Sequence, residues 1–346
     1  MRILAFPKSG ISYNDCYYQA IEAKGGQVVE GMFTGGWFAS NVRAGDWVHL
    51  HWPSFEYGGA RGSLRVLMKL CRFVALLVLA RAKGARLVWT AHNLLPHDRT
   101  VPTWVDTFAR HVVIGLSDVI LVHGQEAGAV LQERFPKVRG KVTVIPHGHW
   151  VGYYRTDISP LAARERLGIP TGAFVYLFIG LCKPYKNLDG LIQSFRKSGG
   201  DAILVIAGKF QDQGYYAKIL DLAQGDPRIM LFPGFVANDD MQVYLHACNV
   251  VVVPYREILT SGTAILAMSF GRPVISVAMG FLRDVVNDDA GLLFAANDPE
   301  GLSKAILDVR RRDFVPARIL AHVARFSFAE AAELTLRALG SSDSSL

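Results

Sequence analysis

The feature that most constrains this chain is a rhythm of short, unbroken apolar runs, each followed by a turn and a helical pattern. In the first half the runs are Ile3–Phe6, Trp47–Leu50, Leu87–Thr90, Val119–Val122 and Val142–Ile145. The second half repeats them at Val175–Ile179, Ile203–Ala207, Met230–Phe232, Val250–Val253 and Val274–Val277. A strand with one wet face alternates apolar and polar residues. These runs do not, so both of their faces must be covered. Strands of that kind, separated by helical stretches such as Leu188–Lys197 and Met241–Ala247, build parallel sheets. At 346 residues the chain exceeds one ordinary core. The expected fold class is therefore α/β, with two doubly wound parallel-sheet domains. The polar, Gly- and Pro-containing region from His147 to Gly172 is the expected join, giving domains 1–150 and 151–326. Ser327-Phe-Ala-Glu330 reads as a capping box that opens a last apolar helix, 327–340, expected to pack back on the first domain.

Charge is unevenly placed. Residues 1–150 hold 17 Lys+Arg against 10 Asp+Glu, a net +7, whereas the remaining residues hold 20 of each. An anionic partner or surface is thus expected at the first half. Within it, Arg65, Lys69 and Arg72 share one face of the segment 61–82, and Leu64, Val66, Leu67, Leu70, Phe73 and Val74 fill the rest. That pattern suits an amphipathic basic helix lying on an anionic bilayer. No segment reaches 18 apolar residues, and Pro7 ends the N-terminal apolar run, so neither a span nor a signal segment is expected. The four cysteines lie far apart, without metal-ligand spacing, and reduced thiols are expected. The basic residues lack interleaved aromatics and a nucleic-acid motif, so no nucleic-acid partner is expected.

Chemistry concentrates at strand ends. Gly180, Lys183 and Lys186 follow the run ending at Ile179, and Lys209 follows the one ending at Ala207. Thr260-Ser-Gly-Thr263 opens a helix after the run ending at Val253. Ammonium groups, hydroxyls of Ser261 and Thr263, a backbone approach at Gly262 and a helix N-terminus are all means of holding a diphosphate. Glu257 could accept from ribose or sugar hydroxyls. In the first half, His49-Leu-His-Trp-Pro53 and Thr90-Ala-His-Asn-Leu-Leu-Pro-His-Asp98 stand at two strand ends. Asp98, His92 or His51 could remove a proton from an acceptor hydroxyl, with Asp15 in reserve. Asp15, Trp52 and His97 are the expected acceptor contacts, Trp52 by stacking on a sugar ring. Acidic pairs such as Asp239-Asp240 lack metal-binding spacing, so no metal or cofactor is expected.

Taken together, these residues resemble the GT-B glycosyltransferases, in particular glycosyltransferase family 4. Val144-Ile-Pro-His-Gly148 is similar to that family's hinge motif, Gly180 to Asn187 to its phosphate loop, and Ala267-Met-Ser-Phe-Gly-Arg-Pro-Val274 to its A-M-A-x-G-x-P-V stretch. His49–Pro53, His92–His97, His147–Trp150, Pro184–Lys186 and Ser261–Thr263 resemble the exopolysaccharide β-mannosyltransferases more narrowly. The resemblance implies two Rossmann-like domains facing a central cleft that closes on the donor, with the acceptor in the first and the nucleotide sugar in the second. It implies GDP-mannose as donor, a polyprenyl-diphosphate-linked glycan as acceptor, work at the inner face of the cell membrane, and His147 on the donor side. It departs at the second glutamate of the family's Glu-x7-Glu pair, where this chain has Leu266. That departure points to an inverting reaction. A retaining transferase with a soluble acceptor and a UDP- or ADP-sugar is the alternative.

Overall fold

The computed structural model describes residues 1–59, 62–96 and 100–341, which divide into two compact units, 1–148 with 326–341 and 149–325. The first holds a six-stranded sheet of Arg2–Phe6 (β1), Gln27–Glu30 (β2), Trp47–Leu50 (β3), Arg86–Thr90 (β4), Val119–His123 (β5) and Val142–Ile145 (β6). Its order is β2-β1-β3-β4-β5-β6. The second holds Val175–Ile179 (β7), Ile203–Gly208 (β8), Ile229–Pro233 (β9), Val250–Val253 (β10), Val274–Val277 (β11) and Gly291–Phe294 (β12), in the order β12-β11-β10-β7-β8-β9. Every recorded pairing is parallel. The continuous apolar runs of β5, β7 and β10 are buried end to end, whereas the edge strands β6 and β9 are only partly buried. Two edge strands, β2 and β12, join the ten read from the sequence. Both are four residues long and only partly buried; β2 has just two apolar residues between Gln27 and Glu30, and β12 carries the short run Leu292–Phe294.

In doubly wound sheets, ligands gather at the carboxyl ends of strands where the order reverses direction. The first sheet reverses between β1 and β3, and the second between β7 and β10. In the first unit the Phe328–Ser341 helix packs on the Ser12–Ala23 helix. Ser327 caps it, its Oγ accepting from the Glu330 N–H at 3.0 Å. The Ser63–Ala82 helix buries Val66, Leu70, Phe73, Leu76, Leu77 and Ala80. Among the described residues no helix is long and apolar enough to cross a membrane.

Candidate functional site

At the β7–β10 reversal three segments converge. Gly180 directly follows β7 with φ +127°, and Gly208 ends β8 against it. A β-carbon on Gly208 would sit 1.7 Å from the Gly180 carbonyl oxygen, so no larger residue fits. Beyond Gly180 the chain makes a tight turn, Pro184–Lys186, and leaves it through Asn187, left-handed at φ 58°. Arg256 stitches this turn to the loop after β10. Its Nη1 donates to the Pro184 carbonyl at 2.9 Å, its backbone N–H to that of Tyr185 at 2.8 Å, and its Nη2 to both oxygens of Asp189 at 3.1 Å. Lys218 reaches Asp189 at 2.7 Å. Burial would raise the Asp189 carboxyl, but the hydrogen bonds from Lys218 and Arg256 outweigh it and hold it below the ordinary value.

The product of this stitching is a fixed ammonium. Lys186 is only 8% exposed, with Nζ 4.9 Å from the Tyr255 ring centre and 5.6 Å from that of Phe178. Nζ lies 3.4 Å from where a β-carbon on Gly180 would stand, and Thr263 Oγ1 lies 3.9 Å from the same point. Tyr255 steadies that hydroxyl, donating to it at 3.2 Å. Among the described residues no carboxylate forms an ion pair with Lys186. Thr263 stands in the first turn of the Gly262–Ser269 helix, whose N-cap Ser261 accepts from the Ala264 N–H at 3.4 Å. Ammonium, hydroxyl and helix N-terminus therefore face one spot above a bare glycine, an arrangement suited to phosphate oxygens. Lys183 is half-buried and Lys209 and Glu257 are exposed on neighbouring loops. Leu266 is buried in the helix, where no carboxylate can stand in for a ribose contact.

At the β1–β3 reversal the first unit gathers five buried histidines, His49, His51, His92, His123 and His147. His49 and His51 lie two apart at the end of β3 and so share a face. The Tyr18 hydroxyl, on the Ser12–Ala23 helix, lies 2.9 Å from His49 Nδ1 and 2.7 Å from His51 Nε2. His49 Nε2 meets Thr90 Oγ1 at 2.8 Å, and His51 Nδ1 meets His92 Nε2 at 2.9 Å. Tyr13 packs edgewise on His51, His92 and His123. Burial lowers all five imidazoles, His49 to about 3 and His147 to about 4, and His51, His92 and His123 well below 6.5. They are neutral at pH 7. The loop carrying His92 is held by Arg110, whose Nε donates to the Leu94 carbonyl at 2.8 Å while its guanidinium covers Trp89 at 4.2 Å.

The expected residues stand in this setting. His51 has its two ring nitrogens engaged by Tyr18 and His92. Trp52 stacks on His92, ring centres 4.4 Å apart at 12°, and on Phe55 at 5.7 Å. Asp15 accepts the Gly10 N–H at 3.2 Å. His147 is enclosed with Tyr13 and His123, its Nδ1 3.0 Å from the Gly148 carbonyl oxygen. A β-carbon on Gly148 would collide with the Phe328 ring, which fixes the glycine of that motif. Asp98 and His97 lie outside the described residues. Tyr18, Thr90, Arg256 and Asp189 were not singled out from the sequence. Among the described residues no group of three or more His, Cys, Asp or Glu side chains is arranged to hold a metal ion.

The basic helix also differs from its reading. Lys69 is drawn inward to donate to the Gly58 carbonyl at 2.8 Å, leaving Arg65 and Arg72 exposed. Leu64, Leu67, Met68 and Val78 point to solvent. With Cys71 and Ala75 they form an apolar stripe opposite the buried one. Phe55, Trp104 and Phe108, from neighbouring helices, are exposed as well.

Residues 161–325 match the family described as glycosyl transferases group 1. The chain is 26% identical over 238 residues to a GDP-mannose:glycolipid 4-beta-D-mannosyltransferase of Xanthomonas campestris pv. campestris, covering 67% of this chain and 61% of that relative. It is 29% identical over 246 residues to a D-inositol 3-phosphate glycosyltransferase of Stackebrandtia nassauensis, covering 66% and 55%. The chain thus spans less than two thirds of either relative. Sucrose-phosphate synthase from Thermosynechococcus elongatus superposes with a TM-score of 0.70 at 17% identity, over 100% of this chain and 99% of that one. Anabaena HepE, solved with UDP and glucose, gives 0.72 at 15% identity over 99% and 100%. Residues 161–325 are therefore a glycosyl transferases group 1 domain, in a chain whose two parallel sheets have the GT-B fold.

Proposed function

We propose that this chain is a glycosyltransferase that moves mannose from GDP-mannose to a lipid-linked oligosaccharide, with inversion and without a metal. The observation that carries the reading is the buried Lys186 ammonium beside Gly180 and Thr263. A fixed cation, a hydroxyl and a helix N-terminus stabilise charge that grows on a departing diphosphate. Lys183 and Lys209 add ammonium groups on neighbouring loops, and Glu257 serves the ribose. In the first unit the loops at the histidine cluster hold the acceptor, and Asp98 or His92 takes its proton. Mannose, GDP and the glycolipid acceptor are favoured by the named Xanthomonas relative.

A lipid-linked acceptor calls for a bilayer contact at the inner face of the cell membrane. The exposed stripe of Leu64, Leu67 and Met68, flanked by Arg65 and Arg72, supplies one of suitable chemistry. Each apolar side chain buried there adds roughly 1.5–3 kcal/mol and each arginine near anionic lipid about 1 kcal/mol. The D-inositol 3-phosphate glycosyltransferase relatives and the UDP-bound neighbour favour a second reading, a retaining transferase using a UDP-sugar and a soluble acceptor.

The test is transfer of labelled mannose from GDP-mannose to a polyprenyl-diphosphate-linked oligosaccharide in anionic vesicles, with UDP-glucose and a soluble polyol run in parallel. Labelled glycolipid is the expected product. Transfer only to the polyol supports the second reading, and no transfer from any nucleotide sugar overturns both.

A further inference from the structure

Five buried groups form one unbranched chain: Thr90 Oγ1 to His49 Nε2 (2.8 Å), His49 Nδ1 to the Tyr18 hydroxyl (2.9 Å), that hydroxyl to His51 Nε2 (2.7 Å), and His51 Nδ1 to His92 Nε2 (2.9 Å). Each neutral imidazole and each hydroxyl contributes one hydrogen. Five hydrogens thus serve four links, and one is left over. A Tyr18 hydroxyl accepting from both rings would keep that hydrogen itself, and Tyr18 is 1% exposed with no other acceptor among the described residues, so the chain points one way or the other. Pointing toward Thr90, it leaves the Thr90 O–H without an acceptor, and Thr90 is fully buried. Pointing toward His92, it leaves the surplus hydrogen on His92 Nδ1, on the residue at the partly open end, 8% exposed. An orphaned buried donor disfavours the first direction by roughly 5- to 150-fold.

We infer that the relay runs from Thr90 to His92 and fixes His92 as a neutral hydrogen-bond donor through Nδ1, aimed at a hydroxyl oxygen of the acceptor sugar. Trp52, stacked on the ring, sets its plane. The cluster is neutral throughout, in keeping with an uncharged hydroxyl as ligand and not a phosphate. His49, Tyr18 and Thr90 are positioning residues that act only through the tautomer they impose. His92 then cannot also take the acceptor's proton, and of the candidates read from the sequence Asp98 and Asp15 are left as bases. This inference rests on the transfer reading above, but its first test does not.

The full-length protein labelled with 15N-histidine is examined by long-range 1H–15N correlation at neutral pH. His49, His51 and His92 should all be neutral and all carry the proton on Nδ1. Protons on Nε2 in these three rings, or a doubly protonated ring, overturn the inference whether or not sugar is transferred. Kinetics give the second test, because the side-chain amide of asparagine reproduces an Nδ1–H donor and cannot act as a base. His92→Asn should keep transfer within roughly tenfold of wild type, while His92→Ala loses roughly 10²–10³-fold. Equal losses in the two variants overturn the donor role. A wild-type protein that transfers no sugar fails the functional reading alone, since the tautomers are read on the resting protein.

Discussion

The histidine cluster makes the first unit acid-labile, and the size of the effect follows from its burial. All five rings are neutral in the folded protein, with His49 lowered to about 3 and His147 to about 4 from 6.5. In the unfolded chain each titrates near 6.5. Below that pH the unfolded state binds more protons, so stability falls as pH falls. The loss begins near pH 6.5 and continues until the lowered folded values are reached. At pH 5 His49 and His147 each forfeit about 2 kcal/mol, and His51, His92 and His123 add losses of the same sign. A domain's whole stability is about 5–15 kcal/mol, so the roughly 4 kcal/mol forfeited by that pair alone is a large share of it. Five of the six tryptophans (Trp37, Trp47, Trp52, Trp89 and Trp104) lie in the first unit, and their fluorescence reports its urea transition. Transitions measured in steps from pH 7.5 to pH 5 should lose at least about 4 kcal/mol, with at least about two protons taken up on unfolding at pH 5. An unfolding free energy constant to within about 2 kcal/mol over that range would refute the neutral, buried cluster.

Other perturbations follow from the same contacts. His123 is fully buried, with the Ile145 and Pro146 backbone in contact with its ring nitrogens, and burial lowers its pKa. His123→Phe should therefore reduce the proton uptake on unfolding at pH 5 by up to about one, by calorimetry. Gly208→Ala forces a methyl group to 1.7 Å from the Gly180 carbonyl oxygen. It should cost about 1–3 kcal/mol of stability and weaken nucleotide binding, and an unchanged melting curve would contradict the close approach. Replacing both Leu64 and Met68 with glutamine removes two exposed apolar side chains. It should reduce flotation with anionic vesicles by roughly 100-fold or more and leave nucleotide affinity intact. Equal flotation of variant and parent would remove that stripe from the membrane contact.

The sheets were legible because fully covered parallel strands leave unbroken apolar runs, and ten of twelve announced themselves in that way. Two of the four edge strands did not. Gln27–Glu30 begins and ends in polar residues, and Gly291–Phe294 offers only three apolar residues, which are half-wet at the sheet edge. The lysine loop was legible for a local reason, since Gly180 and Lys186 are neighbours in sequence as well as in space. The relay was not, because Tyr18, His49 and Thr90 come from three separated elements. The one available sign was the i, i+2 spacing of His49 and His51. The role of Arg256 was equally hidden, because it depends on a turn some seventy residues earlier. On the Ser63–Ala82 helix the apolar residues outnumber those needed to cover the sheet, and only packing shows which of them face solvent.

The central claim is that a buried lysine beside a bare glycine holds the diphosphate of a nucleotide sugar. Calorimetric titration of GDP into the parent protein and into Lys186→Ala tests it most directly, because the residue lies in the compact unit 149–325 and binding needs no acceptor or membrane. A lost charge-assisted hydrogen bond is worth about 1.5–3 kcal/mol, so the variant should bind GDP roughly 10- to 150-fold more weakly while retaining affinity for guanosine. Equal GDP affinity in the two proteins would contradict the account.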